Sequence, residues 1–184
     1  MVGARTGESV GAGGQAVVMT DDGTERDLLL RRLRGQRRHI VDQLEGLDDD
    51  QLRTPVLPSG WSCLGLVRHL TLSDERYWFE VVMGGSPLDF WPDGENGDWR
   101  VAADEPAERV LTDYLTAIAR SDALIESTPL DAPPRSPESW WPAAGLSFPD
   151  LRSVLVHVLV ETATHAGHLD AARELIDGRQ YLFL

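Results

Sequence analysis

Lysine is absent from this chain: all 17 of its basic side chains are arginine, a mark of GC-rich codon usage more than of chemistry. Cysteine is nearly absent. The single Cys63 excludes an internal disulfide and a zinc cluster built on thiolates. Positive charge is scarce against 30 acidic residues, and the net charge of −13 argues against nucleic acid and against acidic membranes as partners. No apolar run reaches transmembrane length. Residues 1–18 are rich in Gly and Ala and lack the apolar stretch of a signal peptide, so a cytoplasmic protein is expected. Strand-like alternation and internal repeats are also missing, which leaves helices.

What is present suits one globular domain: 184 residues, of which 42% are hydrophobic. Residues 1–22 hold five glycines and no apolar periodicity, and read as a flexible tail ahead of a domain over 23–184. Leu29, Leu33, Ile40, Leu44 and Leu47 predict a first helix from Thr24 to about Leu47, broken by Asp48–Asp50 and the prolines after it. A second helix is expected from Ser62, a capping residue, to Met83, before Gly84-Gly85. A third runs from about Glu105 to Ser127, with Val110, Leu111, Tyr114, Leu115, Ile118 and Ile125 as its stripe. The fourth opens at Ser147-Phe-Pro-Asp150 and closes at Gly178. The apolar end Tyr181–Leu184 is expected to pack on the bundle. Four amphipathic helices without strands predict an all-α four-helix bundle, and two long connections, 84–104 and 128–147, suit a crossover topology. Four of the six tryptophans (91, 99, 140, 141) lie in those connections, where they would roof a pocket, cover the bundle ends or form a dimer contact.

The most informative segment is His157 with Glu161-Thr-Ala-Thr-His165-Ala-Gly-His168. With His157 at zero, Glu161, His165 and His168 fall at about 40°, 80° and 20° around a helix, on the arc that also carries Val154, Val158 and Leu169. A carboxylate and imidazoles thus face the core, where they need a partner. One reading is a divalent metal gripped by Glu161 and His165, four residues apart on one face. The third ligand would be His69, which falls in the buried sector of the second helix, while His39 lies in an arginine-rich polar stretch and is expected to be exposed. Three protein ligands would leave a position open for water or substrate. The other reading is a set of polar groups satisfied by hydrogen bonds inside a bundle. His157 and His168 sit at the edge of the arc, as residues that line the pocket or orient the ligands. Arg76, on the line of His69, is either a clamp for a substrate carboxylate or half of an ion pair with Glu80. Cys63 is expected to be a plain core residue.

Two segments carry a resemblance: Pro58-Ser-Gly-Trp-Ser-Cys-Leu-Gly-Leu-Val-Arg-His69-Leu, and Glu161-Thr-Ala-Thr-His165-Ala-Gly-His168-Leu-Asp170 with Arg173-Glu-Leu-Ile-Asp-Gly178. Over about residues 25–180 the chain resembles the DinB-like superfamily, and within it an actinobacterial branch related to mycothiol-dependent maleylpyruvate isomerase. The resemblance implies a four-helix bundle with a three-ligand divalent metal site. Most DinB-like members place a histidine where Glu161 stands; the isomerase branch uses His, Glu and His on zinc. Carried over, the ligands are His69, Glu161 and His165, with zinc first and nickel, iron or manganese compatible. The resemblance also implies mycothiol as a thiol cosubstrate, and makes a homodimer plausible. The expected activity is a metal-dependent thiol transfer or isomerisation on a small molecule. A metal-dependent hydrolase and a non-enzymatic metal-binding or stress-response protein are the alternatives.

Overall fold

The computed structural model describes residues 22–181; the segment 1–21, read above as a tail, and residues 182–184 lie outside the described residues. Among the described residues there are helices and no strands. Helix α1 is Asp22–Leu44, α2 is Asp49–Arg53, α3 is Cys63–His69, α4 is Ala107–Ser127 and α5 is Leu151–Asp177. The acidic run read above as a break instead starts α2. Asp48 accepts from Gln51 N–H, and the Gln51 side chain returns to the Asp48 backbone. Asp150 and Ser153 form the corresponding box on α5, whose far end stops at Gly178 in the left-handed conformation, φ 81°. Leu115, counted above in the stripe of α4, stands in solvent; Val110, Tyr114, Ala117, Ser121 and Ile125 make the buried line. No helix among the described residues is long and apolar enough to cross a membrane.

The predicted second helix is one rod with two windings. From Leu70 to Met83 it continues α3 as a π-helix, here called π1. Each π turn closes five residues back rather than four, a winding often found near functional sites. The turn below His69 is then shared by Ser73 and Asp74. This is why Asp74 and Glu75, which an α-helical reading does not place in the core, are buried.

Side-chain partners give the directions of the rods. Glu25 meets Arg152, His39 meets Asp170, and Arg173 reaches the carbonyls of Gln43 and Glu45, so α1 and α5 run the same way. Arg68 pairs with Glu105 and Ser121 bonds the Glu75 carbonyl, so the α3–π1 rod runs alongside α4. Asp74 meets Thr162 and Trp78 meets His157, which sets that rod antiparallel to α5. Two consecutive rods that run parallel need a connection as long as the bundle. That is the physical reason for the long segment between Met83 and Ala107. On its way it passes Trp91 beside Tyr77 and then lays the 3-10 turn Gly97–Trp99 against α3. The approach is close: a Cβ on Gly65 would lie 2.5 Å from the Trp99 carbonyl oxygen, so glycine is required there.

The core has two apolar clusters stacked along the bundle. One gathers Leu33, Phe79, Val82, Ile125, Leu151 and Leu155; the other gathers Ile40, Leu64, Leu66, Tyr114, Ala166 and Leu169. Between them every rod contributes a polar residue: Arg37, Asp74 with Glu75, Ser121 and Thr162, all buried. Arg37 holds Glu75 through Nε and Nη2 at 2.7 and 2.6 Å, and Asp122 through Nη1 at 2.7 Å. The fork geometry of a guanidinium meets both oxygens of one carboxylate.

Candidate functional site

The face of α5 read from the sequence does meet the α3–π1 rod. The rings of His69 and His165 lie 4.9 Å apart between centroids, inclined at 68°. His69 Nδ1 lies 2.6 Å from Asp98 Oδ2, and Trp99 stacks on the His69 ring at 4.1 Å. His165 is half-buried, and its Nδ1 is buried with no hydrogen-bond partner. Burial, aided by the neighbouring His69 and His168, pushes the His165 pKa down to about 4. Burial also lowers that of His69, against the opposing pull of Asp98 and Glu161. Both imidazoles are thus neutral at neutral pH, the form that can donate a lone pair.

Glu161 is half-buried, and its charge is felt by His69, His157 and Asp74. It stands among them at the floor of a cleft of about 560 Å³. His69, Ser73, Asp74 and His157 line the same floor, and Tyr77, Trp91, Trp140, Trp141 and Phe148 line the walls. Three of the four loop tryptophans therefore cover this cleft, and the fourth, Trp99, backs His69. Among the described residues no group of three or more His, Cys, Asp and Glu side chains is drawn together so as to hold a metal ion as it stands.

The remaining candidates separate. His157 faces the cleft against Trp78 and Phe148, with its pKa lowered by burial. His168 is exposed, 5.7 Å from His165 and 6.5 Å from Trp61 between ring centroids, outside the cleft lining. Arg76 is outside the lining too: its Nε lies 3.4 Å from Glu80 and its guanidinium 3.6 Å from the Phe90 ring centre. His39, expected to be exposed, is only 8% exposed, because Asp170 holds its Nε2 at 2.6 Å and Tyr181 stacks on its ring. Cys63 is a core residue whose thiol burial pushes up to about 11.

Sequence reasoning missed Asp98 and Asp74. Asp98 comes from a loop in which no spacing points at His69; the Gly97-Asp98-Trp99 run is its only local mark. Asp74 accepts a hydrogen bond from Thr162 Oγ1 at 3.1 Å, and burial, then the charges of Glu75 and Glu161, raise its carboxyl well above the ordinary range. A raised pKa in the fold means that the folded chain holds this proton more tightly than the unfolded chain. The associated stability is complete below the unfolded value, about 3.9, and is lost as pH rises through the folded value. Asp74→Asn, which keeps an acceptor for Thr162, is expected to be more stable than the parent at pH 7 and equal to it near the acid end. Urea unfolding at both pH values checks this; equal midpoints at pH 7 would contradict it.

No curated protein matches the chain. A family profile does, that of mycothiol-S-transferase, and it matches residues 28–178, which take in α3, π1, α4, α5 and the whole of the cleft. By fold, by the meeting of His69 with the Glu161–His168 face, and by that match, the chain belongs to the mycothiol-S-transferase family.

Proposed function

We propose that this protein joins the sulfur of mycothiol to an electrophilic small molecule, in a site where His69, Glu161 and His165 hold a divalent ion, zinc first. The observation that carries the metal reading is the buried Nδ1 of His165, which lacks any hydrogen-bond partner; buried polar atoms left so are rare and call for a ligand. The imidazole spacing agrees. Two imidazoles on one tetrahedral ion place their ring centres about 5 Å apart, and these stand at 4.9 Å. Two neutral imidazoles and a carboxylate are a donor set that zinc accepts.

A divalent ion held there would supply Lewis acidity that brings a thiol's pKa toward neutrality. The chain's own side chains do the rest. Asp98 accepts from His69 Nδ1, which fixes the tautomer and leaves Nε2 bare for a ligand. The tryptophans give the cleft an apolar wall beside these groups. His157, neutral at pH 7, faces the cleft and can take a proton on its ring. In the transfer the S–H bond breaks and an S–C bond forms. The proton passes to the acceptor or to its departing group, and nothing is oxidised or reduced.

Cobalt substitution tests this reading. Stoichiometric uptake, with a spectrum that shifts on adding mycothiol, is the expected result. Uptake without a thiol response would favour a binding protein, and no uptake would remove the metal. Asp98→Asn keeps the shape but loses the carboxylate behind His69. It is expected to weaken metal affinity about 10- to 100-fold, measured by competition with a chromophoric chelator.

A further inference from the structure

A second pocket, of about 630 Å³, opens beyond the histidine pair. The order along the rods places it. On α5 the cleft meets His157 and Glu161, then comes His165, and three residues on His168 lies beside Trp61. On the antiparallel rod the order reverses: Tyr77 and Ser73 in the cleft, then His69, then Ser62 and Trp61 ahead of α3. Trp99 is the shared partition. It lines the second pocket, stacks on His69 at 4.1 Å and stands 5.6 Å from His165 between ring centroids. Trp61, also in the lining, stands 6.3 Å from Trp99.

The two pockets differ in chemistry. The cleft is walled by rings, whereas the second pocket sets its two indoles among the Ser59 hydroxyl, the Asn96 amide and the guanidinium groups of Arg53 and Arg100. No carboxylate lines it, on a chain of net charge −13. Arg53 is committed to Asp49 and to the carbonyls of Ala102 and Glu105, and so fixes the rim. The side chains of Ser59 and Asn96 are held by no other group among the described residues and can turn to a ligand. Indole rings take the C–H face of a sugar, and short amides and hydroxyls pair with its hydroxyl groups. Two guanidinium groups would repel an ammonium. Mycothiol has the matching chemistry: its cysteine sits in amide linkage, hence without charge, on the nitrogen of an amino sugar joined to a cyclitol. One cysteine residue separates sulfur from sugar, and one indole ring separates this pocket from the histidine pair.

From this we infer that the Trp61–Trp99 pocket binds the neutral sugar part of mycothiol, on the opposite side of the histidine pair from the aromatic cleft. The inference rests on the proposal that mycothiol brings its sulfur to His69, Glu161 and His165, but not on the transfer itself.

The test uses the sugar without its thiol. N-acetylglucosaminyl inositol, whose nitrogen is neutral, and glucosaminyl inositol, whose amine is charged, are titrated by calorimetry into the full-length protein, metal-loaded and after chelation. The neutral probe is expected to bind in both states, and about fivefold more tightly than the charged one. Trp61→Ala is expected to weaken it about tenfold. That ring also packs on the core, so the double variant Ser59→Ala with Asn96→Gly is measured beside it. Both positions are exposed, and glycine keeps the φ of 54° at residue 96. The double variant is expected to bind the neutral probe about fivefold more weakly. Absence of saturable binding, equal binding of the charged probe, or a double variant that binds as the parent does overturns the inference. A cobalt spectrum that answers to mycothiol without any binding of the sugar would leave the proposed function standing alone. Sugar binding in the expected pattern, with no response to the thiol, would sink that function and leave the pocket assigned.

Discussion

His165→Ala is expected to remove the metal and, with it, thiol transfer. Metal content should fall to a small fraction of an equivalent, and the rate by at least about 100-fold, since loss of groups that merely orient ligands already costs about 10- to 100-fold. The argument turns on what the ring does without metal. Its Nδ1 makes no hydrogen bond that alanine could break, and the pKa near 4 keeps the ring neutral, so no ion pair is lost either. In metal-free protein the substitution should therefore change stability by less than about 1 kcal/mol. A structural histidine would behave the opposite way, with stability falling while activity survived. His168→Ala is the control. That ring is exposed and outside the cleft, so metal content and rate should stay within a few-fold of the parent. Elemental analysis, urea unfolding with chelator and a mycothiol conjugation assay read all three quantities. Full metal retention by His165→Ala would end the proposal.

The second large effect lies in the core, at Glu75. Arg37 and Glu75 are 2% and 1% exposed and share two hydrogen bonds between the two apolar clusters. Glu75→Ala would leave the guanidinium buried with only the Asp122 contact. Breaking such a pair from one side costs about 3–5 kcal/mol. That corresponds to a fall in melting temperature of roughly 10 °C for a chain of this size. The double variant Arg37→Met with Glu75→Leu should recover most of the loss, because it removes both desolvated charges at once. Denaturation of the two single variants and the double variant forms a closed cycle. A loss below about 1 kcal/mol in Glu75→Ala would show that the pair is not held as described.

Much of this architecture is legible along the chain. The apolar spacing in α1, α4 and α5 is dictated by which side of each rod must leave water, so periodicity finds it. Gly178 and the Asp150 region end α5 for local backbone reasons and are equally readable. The second rod is legible only in part. Its length follows from Ser62 and Gly84-Gly85, yet its change to π winding at Leu70 is not marked in the residues and alters every facing assignment below His69. The reading that put Arg76 on the His69 line rested on an α pitch, and with the wider turn Ser73, Asp74 and Tyr77 share the cleft with His69 while Arg76 lies outside it. His39 failed for another reason: it looks polar among arginines, but its partners Asp170 and Tyr181 come from more than a hundred residues away.

The amino-acid order by itself determined the long helices, most of their ends and most of the apolar stripes of α1, α4 and α5, because each depends on neighbours within a turn or two. Tertiary structure alone decided the rest. The parallel course of α3–π1 and α4 stretches the chain from Met83 to Ala107 along the bundle, and so delivers Asp98 and Trp99 to His69 and Trp91 to the cleft, while the connection after α4 delivers Trp140 and Trp141. Those partnerships join residues that share no local spacing, and packing between whole rods is the force that brings them together.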